Sequence, residues 1–393
     1  MRSVLLMSAV VLVGCGGPVP GFDGGTPLGI ADGGLNVNDV SFLFPLPAVG
    51  AENVLPGFAS AGARGELLPR ALHDGFASID ETLSKDAVYA ASRIISARVD
   101  HCFPGSTPPA APVCVKQIRL VAQMLVPDEK RPFTQSTRDA TIHLFYQLSD
   151  AEFAAVHQQL FELKSLAGAR TDGLPLDVHP VMRAEGLTGP YATKLKSMIL
   201  ANCGSQNLTR IAFMSVATGG NNWKFGAFNV VNNALVDDTI PRTPQLKIQG
   251  FQETGSETFR AGILLPAAPG DDLDVLLSEQ EMRLTDERTL RKALTSALKI
   301  ENPDLSSPKT IDCASCHVAS RSRRNAEARR MFSTEGFAER FIAPSRQNAN
   351  RVDAIGDDAR ALRSFGYFED KSALSLRTIN ESAAIAEALS ARP

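Results

Sequence analysis

The sequence predicts an α+β protein: a larger mixed unit with a mostly antiparallel sheet, followed by a small, mainly helical one. Three observations carry this. Ile118, Leu120, Ala122, Met124 and Val126 alternate with Gln117, Arg119 and Gln123, the period-two pattern of a half-buried strand. Leu290, Ala293, Leu294, Ala297 and Leu298 form one apolar stripe at helical spacing. Strand and helix patterns between them do not alternate regularly, which argues against a doubly wound parallel sheet. The predicted divisions are residues 1–14, 15–40, 41–275 and 276–393, with the main boundary near Gly270 to Glu279.

Residues 1–14 read as a signal peptide: Met1-Arg2-Ser3 starts positive, Val4 to Val13 is apolar, and the stretch falls short of the ~20 residues a spanning helix needs. Leu12-Val13-Gly14-Cys15 resembles the lipobox of bacterial lipoproteins. That resemblance implies cleavage before Cys15 and acylation (palmitate or a similar chain) of the new N-terminus. Each buried CH₂ of such a chain contributes ~0.8 kcal/mol to membrane binding. The resemblance further implies an outer-membrane lipoprotein facing the periplasm, because Gly16 rather than an aspartate follows the anchor. An ordinary cleaved secretory signal is the alternative. Gly16 to Gly34 is rich in Gly and Pro and has few large apolar residues, so residues 15–40 are expected to act as a lipidated tether.

Beyond the tether the composition is that of a globular chain, and a net charge of -3 argues against a nucleic-acid partner, which would call for a concentrated basic surface. Cys102 and Cys114 flank a Pro-rich loop, and in an oxidising compartment a disulfide between them would staple it with about 3 kcal/mol. Cys203 would then be unpaired and buried; its pairing with one of the other two is the alternative.

In chain order, Ile142, Leu144, Tyr146 and Leu148 repeat the strand pattern, and the two runs are expected to pair across Pro127 to Arg138. Ser149-Asp-Ala-Glu152 is a capping box, followed by Phe153, Val156, Leu160 and Leu163 at helical spacing. A second helix is expected from Tyr191 to Asn202. Strands follow at Leu208 to Val216, Trp223 to Val231, Leu246 to Glu253 and Phe259 to Leu265. No Gly-rich phosphate loop, G-x-S-x-G elbow or H-E-x-x-H interrupts them, so no catalytic residue is assigned. Thr285-Asp-Glu287 suits a helix start, Ala314 to Phe332 reads as a further helix, and a last one begins near Asn380.

The motif that carries chemistry is Cys313-Ala314-Ser315-Cys316-His317. C-x-x-C-H is the segment through which c-type haem is attached: two thiols three positions apart bond one edge of the porphyrin, and the next residue's imidazole reaches the iron. With its size and helicity, residues 276–393 resemble a cytochrome c domain. The resemblance implies one covalent haem (heme c) on Cys313 and Cys316, with His317 as proximal iron ligand. Here the chain departs from the pattern, since a distal Met normally lies well downstream. The only later Met is Met331, fourteen residues on; a straight helix would hold it ~21 Å away, so it serves only if the helix breaks.

Other distal candidates are His73, His101, His143, His157, His179, Met124, Met182, Met198, Met214 and Met282, an unusual Lys or Asn, or an open position. Each upstream His has a plainer role in a core or on a surface, and His143 in its strand is read that way. Arg321, Arg323, Arg324, Arg329 and Arg330 could meet haem propionates, although a charged helix run is more often a solvated face. Phe337, Phe341, Phe365, Tyr367, Phe368 and Leu376 would line an apolar pocket or an ordinary core.

The expected function is single-electron exchange with a redox partner protein, by a chain anchored to the membrane through its N-terminal lipid. A haem enzyme or ligand sensor with an open distal site, peroxidase-like, is the alternative. A binding or structural lipoprotein with auxiliary or no haem is the third.

Overall fold

A computed structural model describes residues 34–104, 114–217, 222–243, 245–253, 259–261, 273–330, 362 and 364–390. The expected signal peptide, Cys15, Met331, Phe337 and Phe341 lie outside them.

In chain order the strands are β1 (Ser41–Leu43), β2 (Ala61–Gly62), β3 (Gly65–Glu66), β4 (Ser92–Pro104), β5 (Cys114–Pro127), β6 (Gln135–Thr137) and β7 (Thr141–Gln147). They continue with β8 (Leu208–Val216), β9 (Asn222–Val231), β10 (Ala234–Asp237), β11 (Ile248–Glu253), β12 (Phe259–Ala261), β13 (Phe365–Phe368) and β14 (Lys371–Leu374). The helices are α1 (Val37–Val40), α2 (Arg70–Asp74), α3 (Lys85–Ala91), α4 (Asp150–Ala167), α5 (Pro180–Glu185), α6 (Pro190–Asn202), α7 (Glu279–Leu284), α8 (Glu287–Glu301), α9 (Cys313–Arg330) and α10 (Leu376–Leu389). The protein is thus mixed α and β around a ten-stranded sheet in the order β1-β4-β5-β7-β8-β9-β11-β12, with β6 and β10 added at the side. Every pairing in that sheet is antiparallel. Among the described residues no helix is long and apolar enough to cross a membrane.

Period-two alternation gives the sheet two different faces. One is apolar: Ile118, Leu120, Ala122, Ile142, Leu144, Tyr146, Ile211 and Phe213 are all buried there. Tyr146 donates from its hydroxyl to the Leu67 carbonyl at 2.8 Å, and Phe213 stacks on Phe76, so the segments around α2 cover this face. The capping box of α4 forms as its residues predict, Ser149 accepting from the Glu152 N–H and Glu152 from the Ser149 N–H. A Cys102–Cys114 disulfide closes the β4–β5 hairpin, and Cys203 is free and buried.

The other face carries Ser96, Arg98 and Asp100 of β4, Gln117, Arg119 and Gln123 of β5, and His143 of β7. All seven are buried rather than solvated. Helix α10 covers part of it, with Glu381 accepting from Arg98 at 2.5 Å, and the β13–β14 hairpin covers more. The hairpin is fixed by Gln123, which accepts from the Tyr367 N–H at 2.7 Å and donates to its carbonyl at 2.9 Å. Gly366 is needed for that approach, because a Cβ there would come within 2.4 Å of the Gln123 amide oxygen.

Two expectations change. The described part of residues 276–393 is not all helix, since it contains β13 and β14. Its residues also share a core with the sheet: Ala314, Val318, Phe365, Tyr367, Leu376 and Ile379 pack in the same cluster as Phe42, Val121 and Phe225. A second, smaller cluster joins α8 to α9 through Leu290, Ala293, Leu294, Ala297, Ala319 and Ala326. At the other end, the last residues assigned to the tether are folded. Asn36 caps α1 in a capping box with Asp39, and Leu35 is buried, its carbonyl accepting from Ser390 at 3.1 Å.

Candidate functional site

The C-x-x-C-H segment forms the first turn of α9, and the sheet holds that turn in place. Gln249 of β11 donates to Asp312 Oδ2 at 2.7 Å and accepts from the Ala314 N–H at 2.9 Å. The same Asp312 carboxylate oxygen accepts from the Ser315 N–H at 2.9 Å, so the orphan donors of the helix start are met from both sides. Burial pushes the Asp312 carboxyl up, against the lowering effect of these hydrogen bonds.

Cys313, Cys316 and His317 are partly exposed. Cys313 packs against the sheet's core and Cys316 against the α8–α9 cluster. Burial among protein atoms pushes the Cys313 thiol up to about 12 and the Cys316 thiol up to about 11. Both are therefore held protonated at neutral pH. Among the described residues no group of three His, Cys, Asp or Glu side chains converges to hold a metal ion.

His317 Nδ1 lies 2.6 Å from the Leu362 carbonyl oxygen. A carbonyl only accepts, so Nδ1 carries the hydrogen, and in the neutral ring Nε2 then holds the lone pair, the tautomer a proximal haem ligand uses. The ring also rests on Phe225 of β9, with centroids 4.8 Å apart. These features suit a haem: two thiols one helical turn apart, an imidazole beside them with its ligating nitrogen defined, and side chains not closed off from solvent.

The polar face of the sheet lies beneath. Arg119 and Arg98 reach Glu381 together with Arg377. Burial alone would raise Glu381, but Arg98, Arg377 and Arg119 outweigh it and hold it well below the usual carboxylate range. Burial lowers Arg119 to about 10, with neighbouring Arg98 adding to the effect. His143 is pushed well below its ordinary value, first by burial and then by the charges of Arg119 and His317.

The remaining expected site residues are scattered. His73 sits among Phe58, Phe76 and Tyr89. His157 is bonded to the Leu389 carbonyl at 2.8 Å, and His179 to the Asn38 carbonyl at 3.0 Å while stacking on Tyr191. Met124 points from β5 to the apolar face, Met182 and Met198 are buried on α5 and α6, and Met282 is in the α8–α9 cluster. Arg323 is not a spare cation for a propionate: it grips Glu301 at 3.0 Å and Glu327 at 2.6 Å. Phe365 and Tyr367 belong to the hairpin.

No known protein family, no curated protein and no solved structure matches the chain. The buried polar face and Gln249 escaped sequence reasoning, although Gln117, Arg119 and Gln123 were visible as the polar half of an alternating strand.

Proposed function

We propose that this chain is a haem protein of the c type, held to a membrane by lipid on Cys15 and facing the periplasm, that exchanges single electrons with a redox partner. The observation that carries the proposal is C-x-x-C-H on the first turn of α9 with the His317 tautomer set by Leu362. Cys313 and Cys316 would hold the porphyrin through thioether bonds, and His317 Nε2 would take the proximal iron position. Bound there, haem supplies a one-electron ferric–ferrous couple.

The chain's own residues give that couple its setting. The Leu362 carbonyl orients His317 and makes its ring a stronger donor. Gln249 and Asp312 keep the attachment turn in register with the sheet. The lipobox Leu12 to Cys15 supports the compartment, because thioether attachment takes place outside the cytoplasm. A small C-terminal unit of cytochrome c type, residues 276–393, remains part of this reading, with its described residues sharing a core with the larger sheet unit.

The test is a reduced-minus-oxidised absorption spectrum of the chain produced with a c-type haem maturation system. Sharp reduced bands of c type are expected in the native protein and their loss in Cys316→Ser. A native protein without such bands overturns the proposal.

A further inference from the structure

Resting on the haem reading above, we infer that His143 supplies the distal iron ligand, so that the centre is held by two histidines from opposite sides, His317 of α9 and His143 of the sheet.

The sheet register places His143 on the face that meets α9. His143 lies directly opposite Ala212, and Ala212 opposite Ala227. Ala227 shares its face with Phe225, two residues away on β9, and Phe225 packs against the His317 ring.

The residues directly opposite His143 are short. Its cross-strand neighbours are Val121 and Ala212, and Ala212 stays partly exposed although β8 is an interior strand of the sheet. Small residues flanking a histidine at mid-sheet suit a flat ligand better than an ordinary core does.

His143 also lacks what a structural histidine has. It is 9 % exposed, and among the described residues neither of its ring nitrogens has a hydrogen-bond partner. Neither nitrogen is among the fully buried side-chain atoms left without a partner, so the ring's polar edge is not sealed into the core and stays open to a ligand. His157 and His179, by contrast, are each bonded to a backbone carbonyl, and His73 lies beside Asp74. His101 also has a ring nitrogen, Nδ1, buried without a partner, but it is near the disulfide at the far end of β4, away from α9. Met214 is the rival, since it sits on the same sheet face opposite Phe225.

The experiment uses the haem-loaded full chain. Near-infrared magnetic circular dichroism of the ferric native protein should show two-histidine ligation; a His–Met or His–water signature overturns the inference while leaving haem attachment intact. In His143→Ala the covalent haem should remain while the ferric iron becomes high-spin and the ferrous form binds carbon monoxide at once. An unchanged low-spin, carbon-monoxide-inert spectrum overturns the assignment to His143. His143→Met adds a gain of signature, converting the native spectrum to a His–Met one, which requires the side chain at 143 to reach the iron. Failure of the native protein to carry covalent haem is a different result, and it defeats the underlying proposal instead.

Discussion

Gln249 and Asp312 are joined by a 2.7 Å hydrogen bond across 63 residues of sequence, and through it one strand residue holds the two positions that bracket Cys313. Gln249 is fully buried, so its amide meets the helix start without competition from water. Gln249→Ala should leave Asp312 and the Ala314 N–H short of partners at a cost of about 1–3 kcal/mol. Urea unfolding checks the cost. Hydrogen exchange should show faster exchange at the first turn of α9 in the variant, with β5 unchanged.

The ion cluster of Arg98, Asp100, Arg119, Arg377 and Glu381 ties α10 to the sheet from the last segment of the chain. Arg98 is 2 % exposed and pairs with both Asp100 and Glu381. Removing one partner strands buried positive charge, so Glu381→Ala should destabilise by about 3–5 kcal/mol. Glu381→Ala combined with Arg98→Met should recover part of that loss, because one of the stranded positive charges is removed while Asp100 keeps its hydrogen bond from Gln117. Thermal melts of the two variants decide this; equal destabilisation in both would contradict it.

Histidine burial predicts acid sensitivity. Burial lowers His179 from 6.5 to about 3, and His73 and His101 also move down through burial. A lowered histidine is neutral when folded, whereas the unfolded chain binds its proton below about pH 6.5. The unfolded state therefore holds more protons between about pH 6.5 and pH 3, and stability falls as the pH drops through that window. Each such group contributes a slope of up to ~1.36 kcal/mol per pH unit. Stability should be flat between about pH 7 and pH 8 and decline below pH 6. His179→Gln, although less stable at pH 7 for want of its stacking on Tyr191, should show a shallower decline in urea midpoint with pH.

Much of the sheet and its helices was legible because local signals agree with the fold. The alternation at Ile118 to Val126 became β5, the capping box at Ser149 became the start of α4, and Asp286 caps α8 as its position before Glu287 suggested. Strand β4 was not seen. Its register shifts between Ile94 and Ser96, which breaks the period of two, and Arg98 and Asp100 look like solvent-facing charges. The burial of Arg98, Arg119 and Gln123 depends on Glu381 and Tyr367, more than 240 positions downstream in the closest case, and no local pattern reports a partner so distant. The candidate site divides the same way. C-x-x-C-H is contiguous and could be read directly, whereas the contacts of Gln249 and Leu362 with it exist only once the sheet and α9 are packed together.

The central claim is covalent haem on Cys313 and Cys316, and the intact mass of the denatured full chain tests it most directly. After expression with c-type maturation, the account predicts a mass raised by one haem that persists under denaturation and is absent when both cysteines are changed to Ser. A denatured native chain at the mass of the unmodified polypeptide, under conditions that load a control cytochrome c, would contradict it.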